Sequence, residues 1–175
     1  WVQSLNGSWD FKMVDRPEAV PQRFAEPELN IAAWDTIDVP GNWTMQGFDR
    51  PHYTNVQMPF SHEPPSVPQE NPTGLYRRQF QVPKNWKGRR VVIYLGGAES
   101  VLCVYVNGQF VGLSKDSRLP AEFDITPFVR FGEDNTVAAM VIRWSDASFI
   151  EDQDHWWMAG IYRDVYIYST NQTHI

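Results

Sequence analysis

Ser100-Val101-Leu102-Cys103-Val104-Tyr105-Val106-Asn107-Gly108-Gln109-Phe110-Val111-Gly112-Leu113 reads as two strands joined by a two-residue turn. The first arm is rich in β-branched and aromatic side chains, and Asn-Gly provides two positions that tolerate positive φ in a tight hairpin. The same signature continues on either side. Arg90 to Leu95 sets Val91, Ile93 and Leu95 on one face, with Val92 and Tyr94 opposite; Tyr76, Phe80 and Val82 share a face up to Pro83. Asn135 to Trp144 alternates Val137, Ala139 and Val141 against Ala138, Met140, Ile142 and Trp144. Both of its faces are apolar, which predicts a central strand. Arg163 to Tyr168 supplies another strand, and Phe123, Ile125 and Phe128 read as anchors of a connection. Nearer the start, Ser8 to Met13 and Asp35 to Val39 alternate in the same way. A parallel sheet needs crossover helices, and hardly any helical period is present. The expected fold is an all-β, antiparallel β-sandwich.

The segment between Gly41 and Gly74 stands apart, with six prolines and no convincing period. A loop that long inside a compact domain is expected to carry a binding surface or to strap a partner. The 175 residues suit one domain over 1–175, with 41–74 as a proline-rich loop within it. The chain opens at Trp1 and stops soon after a strand-like segment, so it is expected to be a piece of a longer protein.

Fifteen Lys and Arg against 21 Asp and Glu leave a formal net charge of −6, which argues against a nucleic-acid partner because no basic run exists to replace phosphate counterions. No run of 18 apolar residues appears, so no membrane span is expected. Cys103 is the single cysteine, which removes internal disulfides and cysteine-built metal sites. The four histidines, His52, His62, His155 and His174, lack short metal spacing. The unusual quantity is the aromatic content: 8 Trp, 7 Tyr and 10 Phe make 14% of the chain. Such a load favours β structure and suits a surface that stacks on flat, hydroxylated ligands.

The densest polar cluster is Glu151-Asp152-Gln153-Asp154, flanked by Phe149-Ile150 and by His155-Trp156-Trp157. Apolar neighbours strip water from carboxylates, which is costly unless cations or donors meet them. In an extended backbone Asp152 and Asp154 point the same way. That geometry suits an oxygen-rich cation site, a grip on sugar hydroxyls, or a paired acid and nucleophile for glycoside cleavage. A second candidate is Pro51-His52-Tyr53-Thr54-Asn55-Val56, whose Asn55 offers both a donor and an acceptor to a hydroxyl. Asp116-Ser117-Arg118 reads as a turn or a local ion pair. No Gly-rich phosphate cradle and no Gly-x-Ser-x-Gly elbow is present, which leaves carboxylate chemistry open.

Several stretches, taken together and in order, resemble the amino-terminal sugar-binding domain of the bacterial-type beta-galactosidases of glycoside hydrolase family two. They are Ser4-Leu5-Asn6-Gly7 with Trp9, Val39-Pro40-Gly41-Asn42-Trp43, Tyr53-Thr54-Asn55-Val56 and Glu70-Asn71-Pro72-Thr73-Gly74. Further on come Asp116-Ser117-Arg118-Leu119-Pro120, Arg143-Trp144-Ser145-Asp146, and Glu151-Asp152-Gln153-Asp154 with Gly160-Ile161 and Arg163-Asp164-Val165.

The resemblance implies a jelly-roll, galactose-binding-domain-like sandwich at the front of a larger enzyme. In such enzymes two glutamates of a separate (β/α)₈ barrel carry out a retaining hydrolysis of terminal β-D-galactosides, with magnesium held in the barrel. Nothing here matches those barrel motifs, so no catalytic residue is expected in this chain, and alone it should be inert. By the same resemblance Asn55 and Asp154 contact the galactoside, and Asp154 helps hold a sodium ion shared with the barrel. Asp152 and Glu151 are expected only to shape the loop that carries Asp154. Relatives can hold a peripheral divalent ion at the aspartate matching Asp146; here Lys115 stands where the resemblance implies a neutral ligand, and its ammonium would repel a cation. The implied partners are the sugar, the remaining domains of the same polypeptide and further copies in a homo-oligomer, in a cytoplasmic setting, with periplasmic or secreted locations open. A free-standing carbohydrate-binding module and another family-two enzyme, such as a glucuronidase or mannosidase, are the competing readings.

Overall fold

The computed structural model describes residues 1–55 and 57–173. Val56, at the end of the 51–56 motif, and His174 lie outside the described residues. In chain order the first strands are β1 (Val2–Ser4), β2 (Gly7–Val14), β3 (Asp35–Val39), β4 (Gly41–Asn42) and β5 (His52–Thr54). The next are β6 (Thr73–Gln81), β7 (Arg90–Leu95), β8 (Ala98–Glu99), β9 (Val101–Val106) and β10 (Gln109–Ser114). Last come β11 (Ala121–Asp124), β12 (Asp134–Ile142), the single-turn helix α1 (Ala147–Ile150), β13 (His155–Trp157), β14 (Gly160–Ile161) and β15 (Val165–Thr170).

Two sheets face each other. One has the order β10-β9-β12-β6-β2-β3, the other β1-β15-β7-β11. Adjacent strands in both pair antiparallel, and the result is the expected β-sandwich of jelly-roll type. The alternation read in the sequence becomes the inner faces. Val91, Ile93 and Leu95 of β7 and Val165 and Ile167 of β15 pack against Leu102, Val104 and Val106 of β9 and Val137, Ala139 and Val141 of β12. Fully burying such a side chain contributes about 1.5–3 kcal/mol, against a net of about 0.5–1.5 kcal/mol for a typical hydrogen bond. The apolar face therefore sets the register, since a one-residue slip would turn every one of these side chains outward. Asn107 and Gly108 take φ of 50° and 81°, and Gln109 pairs with Val106, as a two-residue hairpin requires.

The doubly apolar pattern of β12 has a specific cause. Its second face, with Ala138 and half-buried Met140, joins Leu75 under Phe24 and Ala25, so the segment after β2 folds over the outside of the six-stranded sheet. Arg77, itself buried, fastens that cover by donating to the carbonyls of Phe24 and Pro27 at 2.5 and 3.3 Å. Most large aromatics are packing residues: Trp9, Trp43, Trp157, Tyr76 and Phe11 are fully buried.

Two expectations are corrected. Residues 121–124 form a strand on the edge of the smaller sheet, where the sequence reads as a connection; with Glu122 and Asp124 turned outward, the segment is too short to show a period. The 41–74 stretch is also not featureless, since β4 pairs with β14 and β5 with β13. Strands of two or three residues cannot be recognised by alternation. Among the described residues no helix is long and apolar enough to cross a membrane.

Candidate functional site

β5 and β13 make a two-stranded ribbon outside the sandwich, with His52 opposite Trp157, Tyr53 opposite Trp156 and Thr54 opposite His155. Carrying that register one position further sets Asn55 opposite Asp154. The two candidates that stand far apart in the sequence thus flank the last pair at one end of the ribbon, and both are exposed. Tyr53 and Trp156, 51% and 54% exposed, lie beside them with ring centroids 5.4 Å apart. The Tyr53 hydroxyl donates to Asp154 Oδ1 at 2.7 Å. The opposite face of the ribbon is turned inward: Trp157 is buried, and His155 lies against it at 4.5 Å between ring centroids.

The ribbon is held at several points. Trp157 Nε1 donates to Thr54 Oγ1 at 2.6 Å, which ties the strands together through side chains as well as backbone. Arg143, buried just beyond β12, pairs with Asp49 upstream of β5 and donates to the Trp157 carbonyl at 3.2 Å. Thr44 donates to the Met158 carbonyl at 2.7 Å, and the Asn42 amide to the Ala159 carbonyl at 3.2 Å. The first part of the loop, residues 42–54, is thereby fastened to β13 and the segment after it.

Glu151 to Asp154 continues out of α1 and is not part of a strand, and Asp152 is half-buried where Asp154 is exposed. Glu151 turns toward the body and accepts from the Ser117 amide at 2.8 Å; Asp152 is half-buried, and Asp154 projects outward. Asp116 closes a local turn, its Oδ1 accepting from the amides of Arg118 and Leu119 at 2.9 Å each. Arg118 in turn reaches Glu99 at 3.3 Å. Glu99 is only 2% exposed, and burial pushes its carboxyl above the usual range despite that cation. The Tyr53 phenol is also raised, chiefly by its hydrogen bond to Asp154.

A cleft of about 370 Å³ opens beside the ribbon, lined by Arg118, Glu151, Gln153, His155 and Trp156. A larger groove of about 690 Å³ borders Pro65, Val67, Pro68 and Trp144, but neither Asn55 nor Asp154 lines it. In that groove Lys115 Nζ sits 2.7 Å from Asp146 Oδ1. An ammonium already neutralises the carboxylate there, which disfavours a divalent ion at the same oxygen.

The donor set near Asp154 suits a hard monovalent cation only in part. One carboxylate oxygen is taken by Tyr53, while Oδ2 and the Asn55 side chain make no hydrogen bond among the described residues. Among those residues no group of three His, Cys, Asp or Glu side chains is gathered for a metal ion. Asp154 can contribute one oxygen to a cation whose remaining ligands come from elsewhere.

A β-sandwich that presents an amide, a carboxylate and two exposed rings on one loop ribbon has the layout of a carbohydrate-binding domain. The chain belongs to the family of glycosyl hydrolases family 2, sugar binding domain, whose model it matches over residues 2–171. It is 52% identical over 166 residues to a beta-galactosidase of Vibrio cholerae serotype O1, covering 95% of this chain and 16% of that protein. It is 49% identical over 180 residues to a beta-galactosidase of Priestia megaterium, covering 100% of this chain and 17% of that one. The chain therefore spans about a sixth of the length of these relatives. Among solved structures, Bacteroides uniformis beta-glucuronidase 2 superimposes with a TM-score of 0.74 at 26% identity, over 98% of this chain and 18% of that one.

Sequence reasoning singled out Asn55 and Asp154, with Trp156 and Trp157 as rings shielding a polar site, but gave no role to Tyr53 or the Arg143–Asp49 pair. A signal for Tyr53 existed, because it stands two residues before Asn55 and so shares its face in an extended segment.

Proposed function

We propose that the chain is the sugar-binding domain of a beta-galactosidase and lends Asn55 and Asp154 to a site completed by another domain of the same polypeptide. In this reading the Asn55 amide and the Asp154 carboxylate bind hydroxyls of a terminal β-D-galactoside. Asp154 gives one oxygen to a sodium ion otherwise held outside this chain, and bond cleavage belongs to carboxylates elsewhere in the polypeptide. The observation that supports the reading is the register of the ribbon, whose last pair, Thr54 with His155, leaves Asn55 and Asp154 as the next residues at one exposed end. Half a site is the chemically sensible inventory: an amide that donates and accepts, a carboxylate that accepts, and no second carboxylate set for glycoside cleavage.

The test is kinetic. In the full-length polypeptide, Asn55→Ala and Asp154→Ala should each lower kcat/KM on an aryl galactoside by about 10- to 100-fold with thermal unfolding unchanged, the range for losing a hydrogen bond to a charged or buried partner. Wild-type kinetics in both variants would overturn the assignment. An aryl glucuronide provides the counter-test. Its carboxylate would meet the negative charge of Asp154, so turnover of the glucuronide above the galactoside would contradict the galactoside reading.

A further inference from the structure

We propose that Tyr53 is a positioning residue for Asp154: its hydroxyl holds Oδ1 and so sets the direction in which the carboxylate presents Oδ2 to the ligand. The inference rests on the reading of Asp154 as a sugar contact and goes beyond it by assigning a role to a neighbour. A bare carboxylate on an exposed loop rotates about χ1 and χ2 and pays for being fixed when a ligand binds. Here that rotation is restricted before the ligand arrives. The Tyr53 hydroxyl donates to Oδ1 at 2.7 Å, a distance typical of an O–H group on an ionised acceptor. Its ring is held in turn by Trp156, its cross-strand partner, at 5.4 Å and an interplanar angle of 44°. The backbone beneath it is held by the bond between Trp157 and Thr54.

Three linked restraints therefore converge on one carboxylate oxygen, and the other oxygen has no hydrogen-bond partner among the described residues. The arrangement also explains why an exposed tyrosine and an exposed tryptophan stand side by side on this ribbon. Their ring contact keeps the hydroxyl over Asp154.

Tyr53→Phe in the full-length polypeptide separates this role from a structural one, because it keeps the ring and its contact with Trp156 and removes only the donor. The affinity of a non-hydrolysable thiogalactoside, measured by calorimetry, should weaken about five- to tenfold. KM for an aryl galactoside should rise by the same factor, kcat should change less than twofold, and the thermal midpoint should stay within one degree or so. Asp154→Ala, and the double variant Tyr53→Phe/Asp154→Ala, complete a cycle. If Tyr53 works through Asp154, the tyrosine change has no further effect once the carboxylate is gone. Equal affinity in wild type and Tyr53→Phe, with Asp154→Ala strongly impaired, overturns the positioning role and leaves the site assignment standing. Wild-type affinity in Asp154→Ala overturns both. An additive double variant also overturns the proposal, since Tyr53 would then act independently of Asp154.

Discussion

The Tyr53 hydroxyl and Asp154 Oδ1, separated by 101 positions in the chain, are 2.7 Å apart. That bond fixes where the two polar arms of the molecule meet. It is possible only because a three-rung ribbon brings residues 52–54 and 155–157 together outside both large sheets. Asn55 and Asp154 thus adjoin a pairing unit of only three rungs, and the side chains that reinforce that unit are open to test.

Thr54 is the first of these. Thr54→Val keeps the shape of the side chain and deletes the acceptor for Trp157 Nε1, on an indole that is only 1% exposed. An unpaired buried donor costs about 1–3 kcal/mol. The expected result in urea denaturation is a loss of that size, together with a higher KM for a galactoside in the full-length polypeptide. Unchanged stability would mean that water satisfies the indole.

Asp49 is the second. Its partner Arg143 is 3% exposed in its side chain, whereas Asp49 is 21% exposed, so removing the carboxylate strands a buried cation. Asp49→Ala is expected to cost about 2–3 kcal/mol, below the range for a fully enclosed pair because water reaches this one from one side. A charge-free pair, Arg143→Met with Asp49→Ala, should recover part of the loss. If the double variant is as unstable as the single one, the contact between Arg143 and the Trp157 carbonyl dominates instead.

Glu99 predicts a pH dependence. Burial raises its carboxyl above the ordinary value of 4.5. Between that value and its raised one the folded chain keeps a proton that the unfolded chain has released, so this group lowers stability as pH rises through the window. Glu99→Gln removes the titration. Urea midpoints of variant and wild type should be closest below about pH 4.5 and diverge in favour of the variant as pH climbs, then run parallel. A gap that does not change with pH would assign the control to another group.

Much of the sandwich is readable from alternation, and for a physical reason: long strands with one buried face must repeat every two residues. The predicted bounds Asp35–Val39 and Arg90–Leu95 coincide with β3 and β7, and the double-faced pattern of β12 is explained by the cover over Ala138. Where function sits, the pattern fails. β5 and β13 have three residues each, so neither can repeat, and their pairing is decided by contacts such as Trp157 with Thr54 that no local window contains. Residue chemistry and family resemblance pointed to Asn55 and Asp154. Their mutual placement, and the service of Tyr53 between them, depend on long-range register alone.

The separation of the two ribbon strands also has a consequence in time. At synthesis rates of about 5–20 residues per second, Tyr53 leaves the ribosome about 5–20 s before Asp154. During that interval β5 has no strand to pair with, and β6 still waits for β12. The edge that joins Tyr53 to Asp154 is therefore among the last parts of this domain to be completed on the ribosome, and a nascent chain arrested before residue 154 carries the tyrosine without its carboxylate partner.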